Sequence, residues 1–144
     1  MTRDRFESAA AIALRVLFAL LLAVTGVAKL LDMPGFYDVV ASYRSLPLAM
    51  VPMAAWSLAV GEIVLAAWLV WGRELRWSSL LVVLLHAMYF GWLVVALARG
   101  LQLDNCGCFG VYWARPLTWY SPLEDLALLA LAIGLWRLSL RRKQ

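Results

Sequence analysis

The reactive chemistry of this chain is concentrated in two cysteines, Cys106 and Cys108, in the run Asp104-Asn105-Cys106-Gly107-Cys108-Phe109-Gly110. Thiol–disulfide exchange needs a thiolate, an accessible sulfur and a second thiol close by, and a Cys-x-Cys pair meets the last condition automatically. A disulfide wants its Cα atoms about 4.4–6.8 Å apart. Residues i and i+2 of an extended chain lie at or beyond the top of that range, so closure needs a bend. Gly107 permits one at little steric cost. A disulfide closed under such strain is easily reduced, which biases the pair toward the oxidising side.

Three further readings of the pair stand beside the redox dithiol. Two thiolates can hold a soft metal such as Cu(I) or Hg(II), so Cys106 and Cys108 are the alternative metal ligands. A structural disulfide closing so short a loop removes little chain entropy and does little. Buried inert cysteines are disfavoured by the polar neighbours Asp104 and Asn105 and by Gly107 and Gly110.

Other ionisable residues fall inside apolar runs. An unpaired charge at the centre of a membrane span costs about 2.5–3.5 kcal/mol on insertion scales, so Glu62 calls for a partner. Lys29, near the outer end of the first apolar run, is the candidate. The plain reading of Lys29 and Glu62 is a pair that fixes helix register; the functional one is a charge partner that lowers a cysteine pKa. His86, the one histidine, reads as hydrogen-bonded packing on the inner half of its helix, far from the cysteines. Arg15 reads as snorkelling to headgroups, and Met33, Met50 and Met53 as packing. Trp68, Trp92 and Trp136 lie deep enough to line a quinone-sized cleft, which makes quinone the candidate cofactor.

The elements that must position these residues are legible in the composition. Of 144 residues, 65% are hydrophobic and 15% charged, with a mean hydropathy of +0.81. A soluble domain carries more charge. The apolar residues form four blocks, at about 11–31, 51–71, 77–98 and 123–140, each near the ~20 residues a membrane-spanning helix needs. The expected fold is all-α: a single-domain integral membrane four-helix bundle in a lipid bilayer. Arg3, Arg5, Arg73, Arg76, Arg137, Arg141, Arg142 and Lys143 fall on one side, against Arg44, Arg99 and Arg115, with Lys29 at the edge, on the other. The positive-inside rule then gives an N-in/C-in topology with the cysteine loop outside. This asymmetry accounts for the net charge of +4, so no nucleic-acid partner is expected.

Gly26-Val27-Ala28 has the pattern of a signal-peptidase site. The apolar run continues to Leu31, and Asp4 and Glu7 dilute the basic start, so the expectation is an uncleaved span. Asp32-Met33-Pro34-Gly35-Phe36 reads as a helix breaker. Phe36, Val39, Val40 and Tyr43 then recur at helical spacing, predicting a short surface helix ended by Pro47. Tyr112, Trp113, Trp119 and Tyr120 hold the outer loop at headgroup level. Ser121, Pro122 and Glu124 predict a well-capped start for the last helix.

The Cys-Gly-Cys-Phe-Gly run before the last span, Gly26-Val27-Ala28-Lys29-Leu30, the Asp32-to-Phe36 breaker and Gly61-Glu62 together resemble the MauE/DoxX-like membrane proteins over nearly the whole chain. MauE is implicated in maturing the disulfide-rich small subunit of methylamine dehydrogenase beside a thioredoxin-like partner. The resemblance implies a bacterial inner-membrane protein in which Cys106 and Cys108 exchange electrons with such a partner on the periplasmic side, Gly107, Lys29 and Glu62 supporting them. The chain is more loosely similar to vitamin K epoxide reductase and DsbB, four-helix proteins that pass electrons between dithiols and quinones. It departs from both in having Cys-x-Cys for Cys-x-x-Cys and no second pair, which implies that a partner supplies the other thiols.

Overall fold

A computed structural model describes residues 2–141, with side-chain surroundings from residue 7 onward. The regular structure of the described residues is all helical: α1 (Thr2–Leu31), α2 (Met33–Ser42), a 3-10 turn at Leu48–Met50, α3 (Val51–Trp71), α4 (Leu75–Ala98) and α5 (Ser121–Arg141). The four long helices stop within a residue of the ends of the apolar blocks read from sequence, because the same Gly, Pro and charged residues that bound the blocks also stop helices, but α1 begins at Thr2, nine residues before its block.

The long helices alternate in direction. Arg15 of α1 donates to the Leu69 and Val70 carbonyls at the far end of α3, while Lys29 meets Glu62 nearer its start. Ser79 of α4 meets Ser139 of α5 at 3.2 Å. Arg141 pairs with Glu7 at 2.9 Å, so the start of α1 and the end of α5 lie together. Phe18, Leu22, Leu65, Leu69, Val82 and Leu135 form the core at this end. Toward the other end, the core is Met33, Phe36, Val40, Val51, Ala55 and Ala59, with Tyr43, Leu93, Ala96 and Leu103 beside it.

Three helical stretches are long and apolar enough to cross a membrane: Glu7–Leu31, Leu48–Trp71 and Leu75–Ala98. Their outer faces expose large apolar side chains such as Leu20, Val24, Val64 and Leu84, which suits lipid rather than water. The fourth expected span, 123–140, falls on α5, which carries Glu124, Asp125, Arg137 and Arg141 and is not in that set. With α2 counted, the described residues contain five α-helices rather than four. Of the residues that set the expected orientation, the side chains of Arg3 and Arg5 and the whole of Arg142 and Lys143 lie outside the described part.

Three local expectations need correction. The Asp32–Phe36 breaker interrupts the helix for only one residue, because Asp32 caps α2 by accepting from the Gly35 N–H at 3.0 Å and Pro34 sits in the first turn, where it forfeits no bond. α2 ends at Ser42 rather than at Pro47, with Arg44 at φ +50° turning the chain. Its apolar face is buried against α3 and the cysteine loop. Arg15 does not snorkel: its guanidinium satisfies two carbonyls that the end of α3 leaves unpaired.

Candidate functional site

The segment between α4 and α5 folds back on itself. Two backbone bonds tie its arms, Leu117 N–H to the Leu103 carbonyl and Cys106 N–H to the Arg115 carbonyl, both at 2.8 Å. Between them the tip turns twice, at Gly107 (φ +79°) and Gly110 (φ +64°). Asn105 holds the turn from within. Its Oδ1 accepts from the Gly107 N–H at 2.8 Å and its Nδ2 donates to the Gly110 carbonyl at 2.9 Å.

The loop is pressed against the helices. A β-carbon on Gly107 would lie 2.6 Å from Val39 Cγ1 of α2, and one on Gly110 would lie 2.9 Å from the Ala28 carbonyl oxygen of α1. Both positions thus need glycine for backbone and for space. The Tyr43 hydroxyl donates to the Cys106 carbonyl at 2.7 Å, and Lys29 Nζ to the Cys108 carbonyl at 3.2 Å.

Gly107 does the bending expected of it. Cys106 Sγ and Cys108 Sγ lie 3.3 Å apart as free thiols, both half-buried. The pair is asymmetric. The hydrogen bond from Cys108 draws the Cys106 thiol down to about 6, with help from the Cys108 N–H and the Arg115 guanidinium and against the effect of burial. The same bond pushes the Cys108 thiol well above its usual range, reinforced by burial, the Cys106 thiolate and the Asp125 carboxylate. Cys106 is thus the more acidic of the two thiols and Cys108 the less. Arg115 is itself held at the surface by a two-pronged pair with Glu124 at 2.8 and 2.9 Å.

Below the loop, Lys29 and Glu62 form the expected pair. Nζ stands 2.7 Å from each carboxylate oxygen, with the two side chains 2% and 1% exposed. Tyr89 of α4 donates to Glu62 Oε1 at 2.5 Å, and the Phe36 and Tyr89 rings lie 5.7 Å from the ammonium. The pair joins α1 to α3 in the buried interior. The bond from Lys29 to the Cys108 carbonyl also ties the pair to the dithiol loop.

Cys106 and Cys108 face a cavity of about 350 Å3 between the helices, walled mainly by apolar side chains. Lys29, Glu62, His86, Tyr89 and Asp125 also reach it. Its size is that of a small-molecule site. His86 packs as expected, with Nδ1 2.9 Å from the Val82 carbonyl and its ring edge-on to Phe18. It also reaches the cavity that the cysteines line. Of the tryptophans expected in a quinone-sized cleft, Trp92 lines the cavity. Trp68 bonds to the Arg73 carbonyl at 2.9 Å and Trp136 Nε1 is buried without a partner; neither lines the cavity.

Asn105, Tyr43 and Asp125 were not singled out from sequence for this site. For Asn105 the signal was there, since an Asn next to Cys-Gly is a ready turn clamp. Among the described residues, no group of three or more His, Cys, Asp or Glu is gathered in metal-binding fashion. A soft metal here would have the two sulfurs as its ligands.

Fold and site together define a multi-pass membrane protein in which a dithiol loop closes one end of a helix-walled cavity. Comparison with known proteins narrows the class. The family described as "Methylamine utilisation protein MauE" matches residues 7–138, and the chain belongs to that family. It is similar to the methylamine utilization protein MauE of Paracoccus denitrificans, 31% identical over 123 residues, covering 85% of this chain and 66% of that relative. The chain thus spans just under two thirds of the relative's length. No solved structure matches it.

Proposed function

We propose that this protein is a thiol–disulfide exchange component of a bacterial inner membrane, with α5 as a fourth span of one transmembrane domain and both termini in the cytoplasm. Cys106 and Cys108 face the periplasm and exchange electrons with a thioredoxin-like partner during maturation of an exported protein. The family's association with methylamine utilisation makes an enzyme of methylamine metabolism the first substrate to test. The observation that carries this reading is the sulfur pair itself: two thiols 3.3 Å apart at a glycine bend, one held low and the other high. A low-lying thiol stabilises the reduced form, which makes the corresponding disulfide an oxidant. The topology is supported by the count of basic residues and by the Glu7–Arg141 pair, which joins the first and last long helices at one end.

The test is an alkylation gel shift on intact cells across a redox titration, with Cys106→Ser and Cys108→Ser as controls. Reversible two-electron cycling, lost in both variants, is the expected result. Thiols that never change oxidation state would overturn exchange, and stoichiometric capture of Cu(I) by both sulfurs without any cycling would replace it with the soft-metal reading.

A further inference from the structure

We infer that Asp125 is the proton acceptor for Cys108 when the dithiol closes. This inference rests on the exchange reading above. Asp125 follows Glu124 near the start of α5, but the two carboxylates point to different places. Glu124 is spent on Arg115 at the surface. Asp125 is 7% exposed, faces the cavity that both cysteines line, and its Oδ2 makes no hydrogen bond. A buried carboxylate oxygen without a partner calls for an explanation, and a role in moving a proton supplies one.

Every other buried charge near the cavity is committed. Lys29 and Glu62 hold each other, and Tyr89 donates to Glu62. The Tyr43 hydroxyl is given to the Cys106 carbonyl, and His86 Nδ1 bonds within its own helix. The groups acting electrostatically on Asp125 are Cys106 of the loop, Glu124 of its own helix and Lys29 of α1, and its carboxylate acts in turn on Cys108, Tyr43 and Tyr89. Of the two carboxylates that line this cavity among the described residues, Glu62 is paired and Asp125 is not.

The chemistry balances as follows. The Cys106 thiolate attacks a disulfide of a partner protein, forming a mixed disulfide and releasing one partner thiolate. Cys108 then passes its proton to Asp125 through water in the cavity and attacks Cys106 Sγ. The Cys106–Cys108 bond forms, the mixed disulfide breaks and the second partner thiolate leaves. Two electrons pass from the cysteine sulfurs to the partner, and the carboxylate ends protonated. In the direction that oxidises the partner, the steps reverse and Asp125 returns the proton to Cys108 as it departs.

The test loads Cys106 of the full-length protein with thionitrobenzoate and follows its intramolecular release by Cys108 across pH. Asp125→Asn should slow release at neutral pH on the order of 10²-fold. The gap should close at high pH, where the Cys108 thiol ionises unaided, and Asp125→Glu should restore part of the rate. Alkylation of Cys106 should be little changed, which a merely structural defect would not allow. An unchanged release profile in Asp125→Asn overturns the inference. If that variant does not fold, the wild-type profile decides: release governed by one ionisation alone, with no second inflection moved by Asp125→Glu, overturns it equally. Release needs no protein partner, so failure of partner exchange in the wild type is a separate result that counts against the exchange reading alone.

Discussion

The Lys29 ammonium is shared evenly between the two oxygens of Glu62, 2.7 Å from each, in a pair almost wholly sealed from solvent. Stripping water from both groups is expensive, and mutual attraction repays it only where their remaining bonding capacity is filled. Tyr89 fills it on the carboxylate side and the Cys108 carbonyl on the ammonium side. Lys29→Met leaves a buried carboxylate uncompensated and should lower stability by about 3–5 kcal/mol in thermal unfolding of the detergent-solubilised protein. Lys29→Met with Glu62→Leu should recover most of that loss. It should not recover the rate of thiol exchange, because the Cys108 carbonyl still lacks its donor. A double variant with wild-type exchange would reduce the pair to a packing device.

The dithiol has a pH signature whose sign follows from the shared proton. Cys106 is drawn down to about 6 chiefly by the hydrogen bond from Cys108. Iodoacetamide labelling of Cys106 should therefore rise through about pH 6 and be flat above it. In Cys108→Ala the thiolate loses that donor, so the inflection moves up toward an ordinary thiol near 8.5. At pH 7 the thiolate fraction then falls about 30-fold, while intrinsic nucleophilicity rises about 10-fold with basicity. The net rate drops only a few-fold, so the position of the inflection, not the rate, is the quantity to measure.

What the sequence discloses and conceals about this site has physical causes. Long apolar runs in lipid favour long helices, so the C-terminal ends of α1, α3 and α4 are readable from composition, while the start of α1 at Thr2 lies outside its apolar run. A charge inside such a run needs a partner, which makes Lys29 and Glu62 discoverable as a pair. Asp125 is different. It sits next to Glu124, and consecutive helix positions point about 100° apart, so one reaches Arg115 and the other the cavity. Nothing local says which. Arg15 was misread for a related reason: a long flexible side chain can reach headgroups or a neighbouring helix end equally well, and only packing against α3 decides.

Gly107 is under two independent demands, one on its backbone and one on the space around it. Its φ of +79° disfavours any side chain, and a methyl would stand 2.6 Å from Val39 Cγ1. Gly107→Ala should cost about 1–3 kcal/mol and move the loop off α2, raising the reactivity of Cys108 toward maleimide as it loses cover. Adding Val39→Ala should relieve the clash but not the torsional strain, so only part of the loss returns. Full recovery of stability and labelling in the double variant would show that backbone conformation contributes nothing at this bend.

Asn105 lets charge and geometry be varied separately beside the nucleophile. Its Oδ1 accepts from Gly107 N–H and its Nδ2 donates to the Gly110 carbonyl, so Asn105→Ala removes both clasps of the turn. The loop should loosen, the sulfurs separate and the labelling inflection of Cys106 rise as the bond from Cys108 weakens. Asn105→Asp keeps the acceptor, loses the donor and sets a negative charge next to the thiolate in sequence. A like charge disfavours the ionised form, so this inflection too should rise, and the rise should shrink in high salt, which screens exposed charges. The rise in Asn105→Ala, being geometric, should be indifferent to salt. Labelling curves for both variants at low and high ionic strength separate the two effects, and an Asn105→Asp curve that matches wild type would mean that the side chain does not act on Cys106 at all.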